Sequence, residues 1–431
     1  LTRLHPRHVR PPFALKITQA LLPGTRLLDG EATGWGPPAL IDASRGAELV
    51  AVQATTTERE VALGIGRSLA GQVGRRIAVG QDPSACPGIY LQGGAFDGVI
   101  RGEPELALLE LATGTPRPEG YQSEPDEPAT RRLVEDPDVL PWPRFTLEEL
   151  HRYRFLYPVS GASRPTWGHL LAGRGCPGLC TFCTGVTRES VGRRARLRDP
   201  IDVAEEAASQ VLTGATVLSL DDDDLSQDRN HALAVAEALH ARVTGVPWIA
   251  HARVDEMDEE LARTWQRCGC RLVRMGVESG SPRVAALLGK VRDGECEQWP
   301  SRVQRAFDAC RRADLPTAAL FIVGTPGETP GDRDRTTSLA ASIRPDFVQV
   351  HHFAAYPGSG WAARHGVRDA AYHYAPSGHE PEVQRAAARA IWRAAVLRPR
   401  PLAQHALRYG RCYLHDPALV GTAARLLFSA A

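Results

Sequence analysis

Cys176-Pro177-Gly178-Leu179-Cys180-Thr181-Phe182-Cys183 is the stretch on which the reading of this chain turns. Three thiols spaced C-x3-C-x2-C around a Pro-Gly turn can converge on one face of a metal centre. Soft thiolates suit iron–sulfur clusters and zinc. Four cysteines saturate a four-iron cluster, whereas three leave one iron open to a small molecule, as a catalytic cluster requires. A zinc site completed by a distant histidine is the rival reading. The other cysteines, at 86, 268, 270, 296, 310 and 412, show no second cluster spacing and read as buried thiols.

The loop follows Trp167-Gly168-His169-Leu170-Leu171, an apolar run that reads as a buried strand. Five more such runs lie downstream, at 216–220, 248–251, 272–276, 318–323 and 347–353. Helical patterns at 200–212, 230–243, 258–266, 299–313 and 330–343 separate them. Six strand–helix units are too few for an eight-fold barrel, so the expectation is a partial (β/α)6 TIM barrel over residues 161–360. Function in parallel barrels sits on the loops at the carboxyl ends of the strands. Residues 361–431 read as a helical, Ala- and Arg-rich tail.

Upstream, residues 26–28, 48–52, 76–79 and 96–100 read as strands, with a helix over 58–69. That alternation predicts a small parallel sheet with helices on both faces in residues 1–112. Its ligand loops would be Gln53-Ala54-Thr55-Thr56-Thr57 and Gly80-Gln81-Asp82-Pro83-Ser84. Residues 113–160 are Pro-rich, carry no period and read as a linker docked through Trp142 and Phe145.

At 431 residues the chain has room for two or three domains. Hydrophobic residues make up 43% and charged residues 23%, enough for packed cores. The balance of 51 basic and 50 acidic side chains argues against a dedicated nucleic-acid binder. No apolar run is long enough to span a bilayer. The first residues carry Arg and His with no apolar region behind them, so no signal peptide is expected. Crowded, unpaired cysteines point to a reducing compartment, and the expected location is the cytoplasm. Only Lys16 and Lys290 are lysines, a bias that fits a GC-rich genome.

Cys176, Cys180, Phe182 and Cys183 match C-x3-C-x-aromatic-C, and here the chain resembles the radical S-adenosylmethionine (SAM) enzymes. The resemblance implies a [4Fe-4S] cluster on the three cysteines, whose open iron chelates SAM and whose electron cleaves it to a 5′-deoxyadenosyl radical. Further matches imply SAM contacts from the acidic turn at Asp222 and Asp223, from Arg253, and from Glu278 and Ser279 in Gly276-Val277-Glu278-Ser279-Gly280-Ser281. Gly324, in Gly324-Thr325-Pro326-Gly327-Glu328, would let backbone approach the adenine. Phe353-Ala354-Ala355-Tyr356-Pro357-Gly358-Ser359 matches the sixth strand end, which makes Tyr356 and His351 the candidate catalytic residues, with His352 beside them.

More narrowly, the chain resembles the subgroup with an N-terminal cobalamin-binding domain, through Arg10-Pro11-Pro12-Phe13, Thr55-Thr56-Thr57 and Gly102-Glu103-Pro104-Glu105. That likeness implies a Rossmann-like domain that holds cobalamin through Thr55, Thr56, Thr57, Gly80, Gln81, Gly102 and Glu103. The chain lacks D-x-H-x-x-G, so that motif supplies no histidine to the lower face of cobalt. Gly80-Gln81-Asp82-Pro83 stands where relatives carry Gly-Gly-Pro-His. The implied activity is C-methylation of an unactivated carbon in a small or carrier-bound natural-product intermediate. Rearrangement, cyclisation or oxidation with the same cofactors is the alternative. An external flavodoxin- or ferredoxin-like electron donor is the expected partner, with no nucleic acid and no membrane.

Overall fold

Short apolar runs build two larger sheets, one mixed and one all-parallel, in the computed structural model. It describes residues 9–366 except 129, 156, 161, 163, 184–190 and 293, and residues 381–415 except 398. The first sheet has the order β1 (Leu49–Gln53), β2 (Arg75–Val79), β3 (Gly98–Ile100) and β4 (Tyr121–Gln122). β1, β2 and β3 are parallel, and β4 joins antiparallel. Helix Arg59–Ser68 connects β1 to β2 and buries Ala62, Leu63 and Ile65. Two small cores flank this sheet, one around Tyr90, Phe96 and Val99, the other around Ile77, Ile100 and Leu108.

The second sheet holds six parallel strands, β5 (Trp167–Leu170), β8 (Val217–Leu220), β9 (Trp248–Ala252), β10 (Cys270–Glu278), β11 (Thr317–Val323) and β12 (Phe347–His352). They lie side by side in chain order. Helices Pro200–Thr213, Arg229–Arg242, Glu259–Arg267, Trp299–Arg312 and Pro330–Ile343 form the connections. Asp199, Asp228, Asp258 and Thr329 cap four of them through side-chain acceptors, which sets where each helix starts. This is the partial (β/α)6 arrangement that the sequence predicts. A two-strand hairpin, β6 (Gly173–Arg174) with β7 (Arg196–Leu197), brackets the cysteine loop.

Three expectations change. Residues 26–28 are not a strand, because Arg26, Leu27 and Leu28 find no ladder partner before the Asp29-capped turn. Within the stretch read as a linker without period, Tyr121–Gln122 pairs with β3 and helix Leu147–Arg152 forms, so it carries regular structure of its own. Trp142 secures it by donating to both oxygens of Asp202. The C-terminal region is helical as expected, but helix Pro381–Val396 is part of the barrel wall. Its Ala387, Ile391 and Ala395 join the main core. No helix among the described residues is long and apolar enough to cross a membrane.

Along the inward face, alternation fixes successive layers. Trp167, Val217, Ile249, Leu272, Ala318 and Phe347 pack with Phe155, Tyr157 and Val159 at the amino-terminal end. Phe155 and Tyr157 thereby reach the two edge strands of the sheet: Phe155 leans on Trp167 and Tyr157 on Phe347.

Candidate functional site

The cysteine loop hangs between the hairpin and the turn after helix Pro282–Leu287. Thr181 donates its N–H to Leu288 O at 2.9 Å and its hydroxyl to Leu287 O at 2.9 Å. Trp361 N–H donates to Thr181 O at 2.7 Å. The approach is close enough that Gly289, at φ +66°, has no room for a side chain: a Cβ would stand 2.5 Å from Leu179 O. Phe182 packs against the cluster of Val284, Leu288, Ile322, Phe353 and Trp361.

The thiols fit an iron–sulfur cluster. Cys176, Cys180 and Cys183 are part-buried and unbridged. Gly178 leaves a bare cradle between two of them: a Cβ there would lie 3.2 Å from Cys176 Sγ and 3.9 Å from Cys180 Sγ. Gly178 N–H donates to Cys176 Sγ at 3.4 Å, a bond that favours thiolate. Among the described residues no three of His, Cys, Asp and Glu converge tightly enough for a single ion. A four-iron cluster instead spreads its thiolates over separate irons. Burial pushes the unligated Cys176 thiol up to about 12.

Cations and acids ring the loop. Arg253, beyond β9, lies 3.7 Å from Cys180 Sγ, donates to Asp255 at 3.0 Å and reaches Lys290 O. Arg253 is thus ion-paired to Asp255 and at the same time within reach of the thiol loop. Lys290 is buried, 3.5 Å from Glu278. Burial pulls its ammonium down, but the Cys180 and Glu278 charges outweigh that and hold it above its usual value. Glu278 closes β10 at φ +61°, in the left-handed region, next to a register shift. A glutamate held there is backbone strain of the kind that collects at functional sites. Burial raises its carboxyl despite Lys290.

The acidic turn divides. Asp221 accepts from His169 at 2.8 Å and from Ser219 at 2.9 Å. Burial opposes its ionisation, but His169 outweighs burial and keeps it well below the usual range. Asp222 points back at the hairpin, accepts Ala172 N–H at 3.0 Å, and is lifted by burial to about 7. Asp224 caps the following turn and shares Ser226 with Glu256. Asp223 has solvent-accessible surface yet is crowded by protein, the condition of a side chain lining a cavity, and desolvation lifts it to about 6. Of the four, Asp223 alone is exposed, the other three being buried.

The later strand ends are more committed to the fold. Ser279 is buried and bonded to Thr336 at 3.0 Å. Gly324 faces Gln384, whose amide would meet a Cβ at 2.5 Å, and Gln384 also bonds His352 at 2.8 Å. Gln384 comes from helix Pro381–Val396, so that helix reaches the fifth strand turn where backbone was expected to meet adenine. His351 is exposed at the end of β12 and near enough to Glu278 to act on its carboxyl, and Tyr356 is part-buried beyond it.

At the carboxyl ends of the first sheet, Thr55 closes a capping box with Glu58. Thr56 donates to Asp82 at 2.9 Å, where Arg59 and Tyr90 also bond. Thr57 lies within 3.2 Å of Thr55 through their hydroxyls. Gly80 takes φ +103° and Gln81 opens the short helix Gln81–Ala85. Gly102 lies so close to Arg132 that a Cβ would stand 2.1 Å from its carbonyl oxygen. Glu103 is committed to protein partners: it accepts from Arg196 at 2.6 and 2.9 Å and pairs with Arg174 at 3.1 Å. Glu105 takes Arg174 at 2.8 Å. Both arginines belong to the hairpin that carries the cysteine loop. The loop after β3 is therefore clamped to the cluster loop by four buried charges.

Sequence reasoning missed Lys290, Gln384 and this clamp. Lys290 carried a signal, as one of two lysines in an arginine-rich chain. The others join residues far apart in sequence and carried none.

Residues 170–340 match the radical SAM superfamily. An uncharacterized methyltransferase of Pyrococcus horikoshii is 25% identical over 279 residues, 61% of this chain and 57% of its own length. The anaerobic magnesium-protoporphyrin IX monomethyl ester cyclase of Rubrivivax gelatinosus is 25% identical over 285 residues, 61% of this chain and 48% of its own. The matched region is thus about half the length of these curated relatives. The fold is shared with OxsB, a cobalamin-dependent SAM radical enzyme solved with aqua-cobalamin and SAM bound. The TM-score is 0.69 at 12% identity, over 100% of this chain and 74% of that one. The thiol loop stands at the end of the first barrel strand, inside the stretch, residues 170–340, that is similar to the radical SAM superfamily.

Proposed function

We propose that the protein is a cobalamin-dependent radical SAM C-methyltransferase acting on an unactivated carbon of a small natural-product intermediate, free or carrier-bound, in the cytoplasm. The observation that carries this reading is the clamp of Glu103 and Glu105 on Arg174 and Arg196. It ties the strand ends of a Rossmann-like sheet to the loop bearing Cys176, Cys180 and Cys183. The likeness of fold to a cobalamin- and SAM-binding enzyme supports it, as does the methyltransferase relative.

When bound, the cluster and SAM supply a 5′-deoxyadenosyl radical, and cobalamin supplies the methyl group. The protein's own share is placement. Cys176, Cys180 and Cys183 would hold three irons, with Phe182 shielding them. Arg253, whose fork suits a carboxylate, would take the SAM carboxylate, and Asp223 the SAM ammonium. Glu278 would take the ribose, and Gly324 would lie under the adenine. Thr55–57, Gly80, Gln81 and Gly102 would line the corrinoid, with residues 1–112 as its domain and 161–360 as the radical domain. His351 and Tyr356, on the rim of the barrel opening, would contact substrate. An external flavodoxin- or ferredoxin-like donor would supply electrons.

A radical cyclisation or rearrangement without methyl transfer is the second reading, favoured by the similarity to the cyclase. Anaerobic incubation of cluster-loaded protein with cobalamin, SAM and a strong reductant separates the two. Methylated corrinoid with S-adenosylhomocysteine supports the methyltransferase. 5′-Deoxyadenosine without corrinoid methylation supports the alternative. Cys180→Ala is expected to abolish iron incorporation and SAM cleavage while leaving the circular dichroism spectrum unchanged; retained SAM cleavage would overturn the cluster assignment.

A further inference from the structure

Above the apolar layer at the bottom of the barrel the inward face turns polar. The next positions on successive strands are His169, Ser219, His251, Arg274, Leu320 and Gln349. His251, Gly276, Leu320 and Gln349 are part-exposed although they lie in the middle of strands whose outer faces are covered by helices. Solvent therefore enters the barrel interior to that depth. Arg274 lies at the floor of this space, 3% exposed, beside His251 on the neighbouring strand.

Among the described residues Arg274 is countered only at long range: its Nη2 lies 3.5 Å from His251 Nδ1 and 4.0 Å from one oxygen of Asp221. Asp221 is already bonded by His169 and Ser219. His251 is held neutral, chiefly by burial and then by Arg274 and Arg10. Arg10 adds a second positive charge: burial and its repulsion lower Arg274 to about 10. The Phe155 ring lies beneath the guanidinium, 4.7 Å from centroid to Cζ, so one face is packed. Among the described residues its Nε has no hydrogen-bond partner, and neither does the Tyr157 hydroxyl beside it. A buried cation with an open donor and a second open donor next to it is costly unless an anion completes it.

We propose that the floor of the barrel is an anion site that binds a carboxylate of the substrate. Arg274 offers Nε–H and one Nη–H as a fork, and the Tyr157 O–H is a third donor. This rests on reading the barrel interior as the substrate cavity. SAM's own carboxylate is not the ligand: Arg274 precedes Glu278 by four residues, about 13 Å along a strand at ~3.3 Å per residue. The substrate class is thus a small acid whose carboxylate points down the barrel while its far end meets the cysteine loop, His351 and Tyr356. A neutral amide of the same shape would bring a donor to face two donors and be rejected.

The test is calorimetric titration of the full, cluster-loaded chain with acetate, butyrate and benzoate, each against its amide. No corrinoid or turnover is needed, so failure of the methyl-transfer reading leaves the result decidable. At least one acid is expected to bind about tenfold or more tightly than its amide. Arg274→Gln should remove that preference and leave SAM affinity within about twofold. Tyr157→Phe, which keeps the ring, should weaken acid binding about threefold and serves if Arg274→Gln does not fold. Equal binding of every acid and its amide, or an undiminished preference in Arg274→Gln, would overturn the proposal.

Discussion

Asp222 accepts the Ala172 N–H from a position only 2% exposed, and burial lifts its carboxyl to about 7. In the unfolded chain the same group titrates near ~4. Between those values the native state keeps a proton that the unfolded chain has lost. Its contribution to stability is therefore whole below pH ~4 and lost as pH rises through about 7. Asp222→Asn keeps an acceptor for Ala172 and removes the titration. Its melting temperature, measured without cofactors, should exceed the wild type's at pH 8 and converge with it near pH 4. A constant offset across that range would refute the assignment. The run of four aspartates is plain in the sequence, but their division of labour is not. Asp221, Asp222 and Asp224 are drawn to His169, to the hairpin and to Ser226 by neighbours distant in the chain.

At the scale of elements, the strands and helices of the barrel are legible because each carries a period and a start signal. Asp199, Asp228, Asp258 and Thr329 stand at the N-caps of their helices, and the apolar runs between them are long enough to be strands. β6 and β7 are two residues each, too short for any period. Yet this hairpin carries the clamp. Glu103→Gln leaves Arg174 and Arg196 buried without their full countercharge, and breaking such a pair costs about 3–5 kcal/mol. The variant's urea midpoint should fall accordingly, and proteolysis should begin between residues 175 and 195. An unchanged midpoint would show that the two sheets are held by other contacts.

Across the whole molecule, the helix Pro381–Val396 decides how the barrel is finished. Ile391 is fully buried against the Pro330–Ile343 side of the core. Ile391→Ala should cost about 2–4 kcal/mol through the cavity it leaves, read as a lowered thermal midpoint of the full chain. A loss under ~1 kcal/mol would mean that the helix only leans on the barrel.

The sequence alone determined the order of strands and helices, the partial barrel and the position of the thiol loop, since these follow from hydrophobic period, caps and the local spacing of cysteines. Residues 26–28 misled because an apolar triplet between turns has a strand's composition but found no ladder partner. Glu103 misled for a different reason: its motif marks a strand end, and the partner that claims its charge is Arg196, 93 residues away. Whether a carboxylate serves a ligand or a distant arginine, and whether Arg274 ends up neutralised or open at the barrel floor, depends on which side chains converge from separate strands. That convergence is set by packing across the fold, which no local pattern records.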